Sequence, residues 1–259
     1  MRVTASAPGK VNVFLGVGRL REDGYHEVCS VYLALNLRDR VSVSEASNWA
    51  VSVTGTLSRE HLDRVPLDET NIVVKAAKLV AELGGMPSPS PLQFEIEKHI
   101  PVAGGMGGGS ADAAAAMVAA NRFWNLNLTL EQLMTAAVKL GADVPFALLG
   151  GCAMGRGVGE QLEPIEVSRE HVFLMLPNDK PISTPAAYAK YDELVRQQGF
   201  DPREIRTPVP DELMLAELNS STSFFKSLTT RTMFGTLTNL QKASRQSPVA
   251  MTWFNSAAT

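Results

Sequence analysis

Cysteine is nearly absent: Cys29 and Cys152 are the only two, they lie far apart, and neither has neighbours at metal-ligand spacing. No disulfide framework or zinc site is implied, and a reducing cytoplasm is the expected setting. No stretch reaches the ~18 consecutive apolar residues that a membrane-spanning helix needs. The N-terminus MRVTASAPGK has no basic region followed by an apolar run, so no secretory signal is expected. A net charge of −3 gives no global attraction to nucleic acid or to an anionic membrane. A local basic patch could still serve an anionic substrate, so the charge excludes little; the expected partner is a small-molecule substrate, with no nucleic acid and no membrane, on a monomer or a homodimer.

A rarer absence lies near the end. From Leu218 to Thr259 there is no Asp or Glu, although the chain carries 27 acids, while Ser and Thr supply 15 of those 42 residues. Ordinary domains mix both signs throughout. The run is either an unusual native tail or a frameshifted or otherwise altered C-terminus.

What remains is ordinary for a globular protein: 259 residues, 45% apolar and 20% charged, enough to bury a core in one large domain or two modest ones. Arg2 to about Val17 alternates polar and apolar residues and reads as strands broken at Pro8-Gly9. Strand-like alternation returns at Asn36–Glu45, Trp49–Thr54 and Leu92–Ile96. The spacing of Ile72, Val73, Ala76, Leu79, Val80 and Leu83 predicts a helix over 71–83, ended by Gly84-Gly85. Thr129 to Gln132 is a capping-box pattern that starts another helix, ending at Gly141. Gly150–Gly159 reads as a glycine-punctuated strand or turn. A soft boundary near Val158–Val167 precedes a strand at His171–Leu176 and a helix around Ala187–Gln198.

The segment PVAGGMGGGSADAAAAMVAANRFW carries the strongest chemical signal. Phosphate oxygens need several N–H donors converging on one point, and glycine permits that close backbone approach. Five of the six residues from Gly104 to Gly109 are glycine, directly before an alanine-rich helix expected to start at about Ser110. Such a helix adds its free N–H groups and the positive end of its dipole. The segment is no Walker loop, since Gly109 is followed by Ser110 and no lysine, and G-x-G-x-x-G cannot be laid on it. A flexible turn that binds nothing is the competing reading, at a large cost in chain entropy.

PVAGGMGGGSADAA resembles the central ATP-binding motif of the GHMP kinase superfamily, which includes galactokinase and the homoserine, mevalonate and phosphomevalonate kinases. Three further segments fit one member of it: Ala7-Pro-Gly-Lys-Val-Asn-Val-Phe-Leu15, Arg21-Glu-Asp-Gly-Tyr-His-Glu27 and Gly141-Ala-Asp-Val-Pro-Phe146. That member phosphorylates the 2-hydroxyl of a diphosphocytidyl-linked methylerythritol, a step of non-mevalonate isoprenoid synthesis. The likeness covers about Arg2–Tyr188. It implies an α+β GHMP kinase fold: a β-rich N-terminal domain with helices over 1–160, and a smaller α/β domain over 161–259, incomplete, atypical or disordered after about 218. It implies ATP and Mg²⁺ as cofactors, with no metal ligand identified.

Residue by residue, the resemblance implies that Pro101, Val102, Ala103, Gly104, Gly105, Met106, Gly107, Gly108, Gly109, Ser110 and Ala111 hold the nucleotide phosphates. Lys10 and Asp143 match the catalytic lysine and the catalytic base. A lysine can stabilise charge on a transferring phosphoryl group, and a carboxylate can accept the acceptor's proton. Taken alone, Lys10 reads as a solvated charge in a turn. Asp143 alone reads as a capping residue, ahead of a Val144 that Pro145 restricts to an extended backbone. Asn71 and Lys98 match positions near adenosine; alone they read as a helix cap and a solvated strand end. Tyr25 and His26, with Asn12 as a weaker candidate, match residues that frame the cytosine. Gly155–Glu160 and Thr184–Tyr188 resemble substrate-side segments. His61, His99 and His171 show no ligand pattern.

One departure stands out. GHMP kinases usually carry a Ser-Gly-Ser-Gly-Pro-Thr-like loop near the C-terminus, and nothing after Tyr188 fits it, Gly199 and Gly235 being the only later glycines. Two alternatives therefore stay open: a catalytically impaired nucleotide-binding protein, and a kinase of the same superfamily for another small alcohol.

Overall fold

The computed structural model describes residues 1–168, 170–175 and 183–210. The acid-free tail from Leu218 lies outside these residues. The strands are β1 (Arg2–Leu20), β2 (His26–Glu45), β3 (Ala50–Gly55), β4 (Leu92–Lys98), β5 (Cys152–Arg156) and β6 (Gln161–Pro164). The helices are α1 (Arg59–Leu62), α2 (Ile72–Leu83), α3 (Gly108–Phe123), α4 (Leu130–Ala137), α5 (Val144–Leu149) and α6 (Thr184–Gln197), followed by a 3₁₀ turn at Pro202–Glu204. No helix among the described residues is long and apolar enough to cross a membrane.

The strands hydrogen-bond in the order β3-β4-β2-β5-β6, with β1 paired to β2. β4 runs antiparallel to β2, Arg40 opposite Glu97, and parallel to β3, Gly55 opposite Lys98. By contacts the chain falls into two units, the first comprising 1–11 and 32–153, the second 12–31 and the described residues from 154 onward.

In the first unit, Leu92, Phe94, Ile96 and Lys98 are buried while Gln93, Glu95 and Glu97 are not, the period of two expected of a strand with one covered face. The cover is helical. α2 buries Val73, Val74, Ala76, Ala77, Val80 and Ala81. α3 is alanine-rich, which allows close approach, and buries ten of its 16 residues, among them Gly108, Asp112, Ala115 and Ala119 along one stripe. α2 ends at Gly84, followed by Gly85 at φ 76°, and α4 starts with the capping box, Thr129 and Gln132 exchanging both bonds at 3.2 and 2.9 Å.

Four local expectations need correction. β1 runs unbroken through Pro8-Gly9; it pairs with β2 alone among the described strands, so the missing proline N–H interrupts no second ladder. α3 starts at Gly108, two residues before Ser110, because Gly107 takes the left-handed conformation (φ 69°) of its N-cap. Val144 is helical, not extended: α5 begins there with Pro145 in its first turn, where a proline forfeits no helical bond. Residues 171–175 form no strand, and Leu176 lies outside the described residues.

Candidate active site

The glycine loop joins the end of β4 to α3. Ala103, Gly105 and Gly107 have φ of 58, 73 and 69°, and the residues between them do not share that conformation. Alternation of this kind turns successive N–H groups into an anion-binding concavity. The first bond of α3 runs from the Ala111 N–H to the Gly107 carbonyl at 2.8 Å. The N–H groups of Gly108, Gly109 and Ser110 thus have no intrahelical acceptor. Of the loop residues, Ala103, Gly104, Gly105 and Gly109 are exposed; Pro101, Val102, Gly107 and Ser110 are half-buried; Met106, Gly108 and Ala111 are buried. A Cβ on Gly105 or Gly109 would meet nothing, leaving that side open to a ligand.

Gly107 is the point where loop and chemistry meet. A Cβ there would lie 3.3 Å from Lys10 Cγ and 3.9 Å from Asp143 Oδ2. The Lys10 N–H donates to the Met106 carbonyl at 2.9 Å, tying β1 to the loop. The Lys10 ammonium stands 3.5 Å from Asp143 Oδ2 and 5.8 Å from the ring centroid of the buried Tyr32. Asp143 occupies the N-cap position of α5 but makes no side-chain cap bond, so its carboxylate is not spent on the helix. An ammonium, a carboxylate and free backbone N–H groups are therefore gathered at one end of α3. Such a set can bind a phosphate, receive a proton from a hydroxyl and offset developing negative charge.

Lys98 corrects its solvated reading outright. It is 1% exposed, and its ammonium donates to Asp39 and, at 2.7 Å, to Asp112 Oδ2. Burial pushes the Asp112 carboxyl up to about 7; the attraction of Lys98 opposes this and the Asp39 charge adds to it. Asn71 is the N-cap of α2, its Oδ1 accepting from the Val73 N–H at 3.0 Å and its Nδ2 donating to the Pro66 carbonyl at 2.6 Å.

In the second unit, Tyr25 is 64% exposed at the end of the turn that precedes β2. His26 is buried: its Nε2 lies 2.9 Å from Asp192 Oδ1, and its ring stacks on Tyr188 at 4.8 Å and meets Tyr191 edge-on at 5.8 Å. Asn12 Nδ2 donates to Ser30 Oγ at 2.6 Å. Sequence reasoning did not anticipate Asp39 or Asp112. The signal for Asp112 is a lone carboxylate on the alanine face of α3, four residues after Gly108. Nothing local pairs His26 with Asp192, 166 residues away.

Residues 71–151 match the family of GHMP kinases N terminal domain. The chain is 46% identical over 211 residues to a 4-diphosphocytidyl-2-C-methyl-D-erythritol kinase of Paenarthrobacter aurescens, covering 80% of this chain and 65% of that protein. It is 45% identical over 219 residues to the kinase of the same name from Leifsonia xyli, covering 84% and 70%. A crystal structure of 4-(cytidine 5'-diphospho)-2C-methyl-D-erythritol kinase superposes with a TM-score of 0.58 at 30% identity, over 92% of this chain and 80% of that one. The chain spans slightly less than two thirds of the length of several of the curated relatives that it matches. The four motifs, the α+β fold and these likenesses converge: the chain belongs to the 4-diphosphocytidyl-2-C-methyl-D-erythritol kinase family of the GHMP kinases.

Proposed function

We propose that the protein transfers the γ-phosphate of ATP to the 2-hydroxyl of 4-diphosphocytidyl-2-C-methyl-D-erythritol, giving ADP and the 2-phosphate. The observation that carries this reading is the placement of Lys10 and Asp143 against Gly107 at the mouth of α3. The loop residues Pro101–Ala111 hold the nucleotide phosphates through backbone N–H groups. Asp143 accepts the proton of the acceptor hydroxyl as its oxygen attacks the γ-phosphorus and the bond to the β-phosphate oxygen breaks. Lys10 stabilises the negative charge that spreads over the transferring group. Positioning and electrostatics supply most of the rate in such a direct transfer.

Tyr25, with its exposed ring, stacks on the cytosine, and the backbone of His26, with Asn12, lines its edge. Asn71 supports the adenosine side by fixing the start of α2. Among the described residues no group of three or more His, Cys, Asp or Glu side chains could cage a metal ion. Mg²⁺ bound with the nucleotide would neutralise part of the phosphate charge. A second reading, nucleotide binding without turnover, rests on the missing third glycine loop after Tyr188.

A coupled assay of ADP release tests both. The full chain is expected to turn over with the diphosphocytidyl substrate and not with mevalonate or homoserine. Nucleotide binding without ADP release would favour the second reading, and turnover with another alcohol would change the acceptor.

A further inference from the structure

Three titratable side chains lie beneath the loop, and the transfer described above uses none of them. Asp39 on β2 is fully buried; its Oδ1 accepts the N–H groups of His99 and Ile100 at 2.6 and 2.9 Å, and its Oδ2 accepts from Lys98. Lys98 reaches on to Asp112 Oδ2, while Asp112 Oδ1 is buried without a partner. Two carboxylates and one ammonium in a dry core are an expensive way to fill space, and apolar residues of the same volume commonly serve stability as well or better. A buried network of this kind fixes one geometry instead.

The geometry is that of the loop's neck. Lys98, His99 and Ile100 are the residues directly before Pro101, and Asp112 stands in the second turn of the helix that leaves the loop. The network thus joins the two ends of the excursion, with Asp39 anchoring it to β2. The fit leaves no slack: a Cβ on Gly108 would lie 3.2 Å from Ile100 Cγ2 and 3.3 Å from Lys98 Nζ.

We propose that Lys98 and Asp112 are positioning residues for nucleotide binding: their ion pair clamps the N-terminal part of α3 onto the end of β4, so that the N–H groups of Gly108, Gly109 and Ser110 converge where the phosphates sit. Lys98 acts through the backbone of the loop and does not touch the nucleotide. The inference rests on the loop being the phosphate site. Its effect falls on ATP binding, because donors held in place before the nucleotide arrives cost nothing to order. The acceptor site and the Lys10–Asp143 pair are left as they are.

The test compares Asp112→Ala with Asp112→Asn in the full chain, the latter keeping an oxygen for the Lys98 ammonium. ADP affinity by calorimetry and steady-state kcat and KM are read well below the melting temperatures. Asp112→Ala is expected to weaken ADP and raise the KM for ATP about tenfold or more, since the nucleotide must then order donors that the clamp no longer holds. Its kcat stays within about twofold, and Asp112→Asn restores most of the affinity. Val80→Ala, a cavity in α2 away from the loop, controls for lost stability and should leave ADP affinity unchanged. Asp112→Ala with wild-type affinity, or a loss no larger than that of Val80→Ala, overturns the proposal. If Asp112→Ala does not fold, Lys98→Arg replaces it, the wider guanidinium altering the clamp; a raised KM for ATP with kcat retained supports the proposal, and an unchanged KM overturns it. Failure of the wild type itself to bind ADP would instead remove the phosphate-site reading, and this inference with it.

Discussion

The Lys10 ammonium and the Asp143 carboxylate stand 3.5 Å apart, one on β1 and the other at the mouth of α5, and both face Gly107. Each charge holds the other in place before substrate arrives, and the Asp143 carboxylate makes no cap bond to α5. Asp143→Asn keeps the shape and removes the basicity. It is expected to lower kcat by about 10²–10⁴ with ADP affinity within about twofold. Lys10→Ala is expected to lower kcat with little change in acceptor KM. Steady-state kinetics with calorimetric ADP titrations checks both; unchanged turnover in Asp143→Asn would remove it as the base.

Gly107 carries two constraints at once. Its φ of 69° lies where a β-branched residue is strained, and a side chain would press on Lys10 and approach Asp143. Gly107→Val should therefore abolish measurable ADP binding and turnover together. Circular dichroism would show whether the fold persists, and retained ADP affinity in a folded variant would contradict the loop assignment.

The loop, the helix after it, the capping box at Thr129 and the end of α2 at Gly84-Gly85 were all legible in the chain, because each is a local pattern whose physics is complete within a few residues. What was not legible needs a partner far away. Lys98 looks like a solvated strand end until it is counted as the fourth member of the alternation Leu92, Phe94, Ile96, Lys98, which turns it inward. Even then its partners, Asp39 and Asp112, come from β2 and α3. Pro8 and Pro145 also misled: Pro8 breaks no second ladder, because β1 pairs with β2 alone among the described strands, and the extended backbone expected of Val144 gives way to a helix that takes Pro145 in its first turn.

The buried network gives stability a pH dependence of definite sign. The Asp112 carboxyl has an ordinary value of 3.8 and is raised to about 7 in the fold, so the folded state binds its proton more tightly than the unfolded chain. That contribution is fully present below about pH 3.8 and is lost as pH rises through about 7. Wild-type melting temperature, corrected by that of Asp112→Asn, is expected to fall between pH 5 and pH 8; parallel curves would show that Asp112 does not titrate in this range. Lys98→Met, which takes the ammonium away from two buried carboxyl groups, should cost about 3–5 kcal/mol in denaturant unfolding at neutral pH.

In the second unit the buried ring of His26 is held by Tyr188 and Asp192, while the ring of Tyr25, proposed to stack on the cytosine, is exposed. Stacking of a base on an aromatic ring is worth about 1–3 kcal/mol. Tyr25→Ala is expected to raise the KM for the diphosphocytidyl acceptor about fivefold to a hundredfold, with the KM for ATP unchanged. An equal rise in both would point to a general loss of structure.

Phosphorus NMR of a reaction containing the full chain, ATP, Mg²⁺ and 4-diphosphocytidyl-2-C-methyl-D-erythritol tests the phosphoryl transfer most directly. A new phosphomonoester resonance, growing in step with ADP while the cytidyl diphosphate stays intact, is the predicted result. ATP left unchanged, or converted only to ADP and inorganic phosphate, would contradict it.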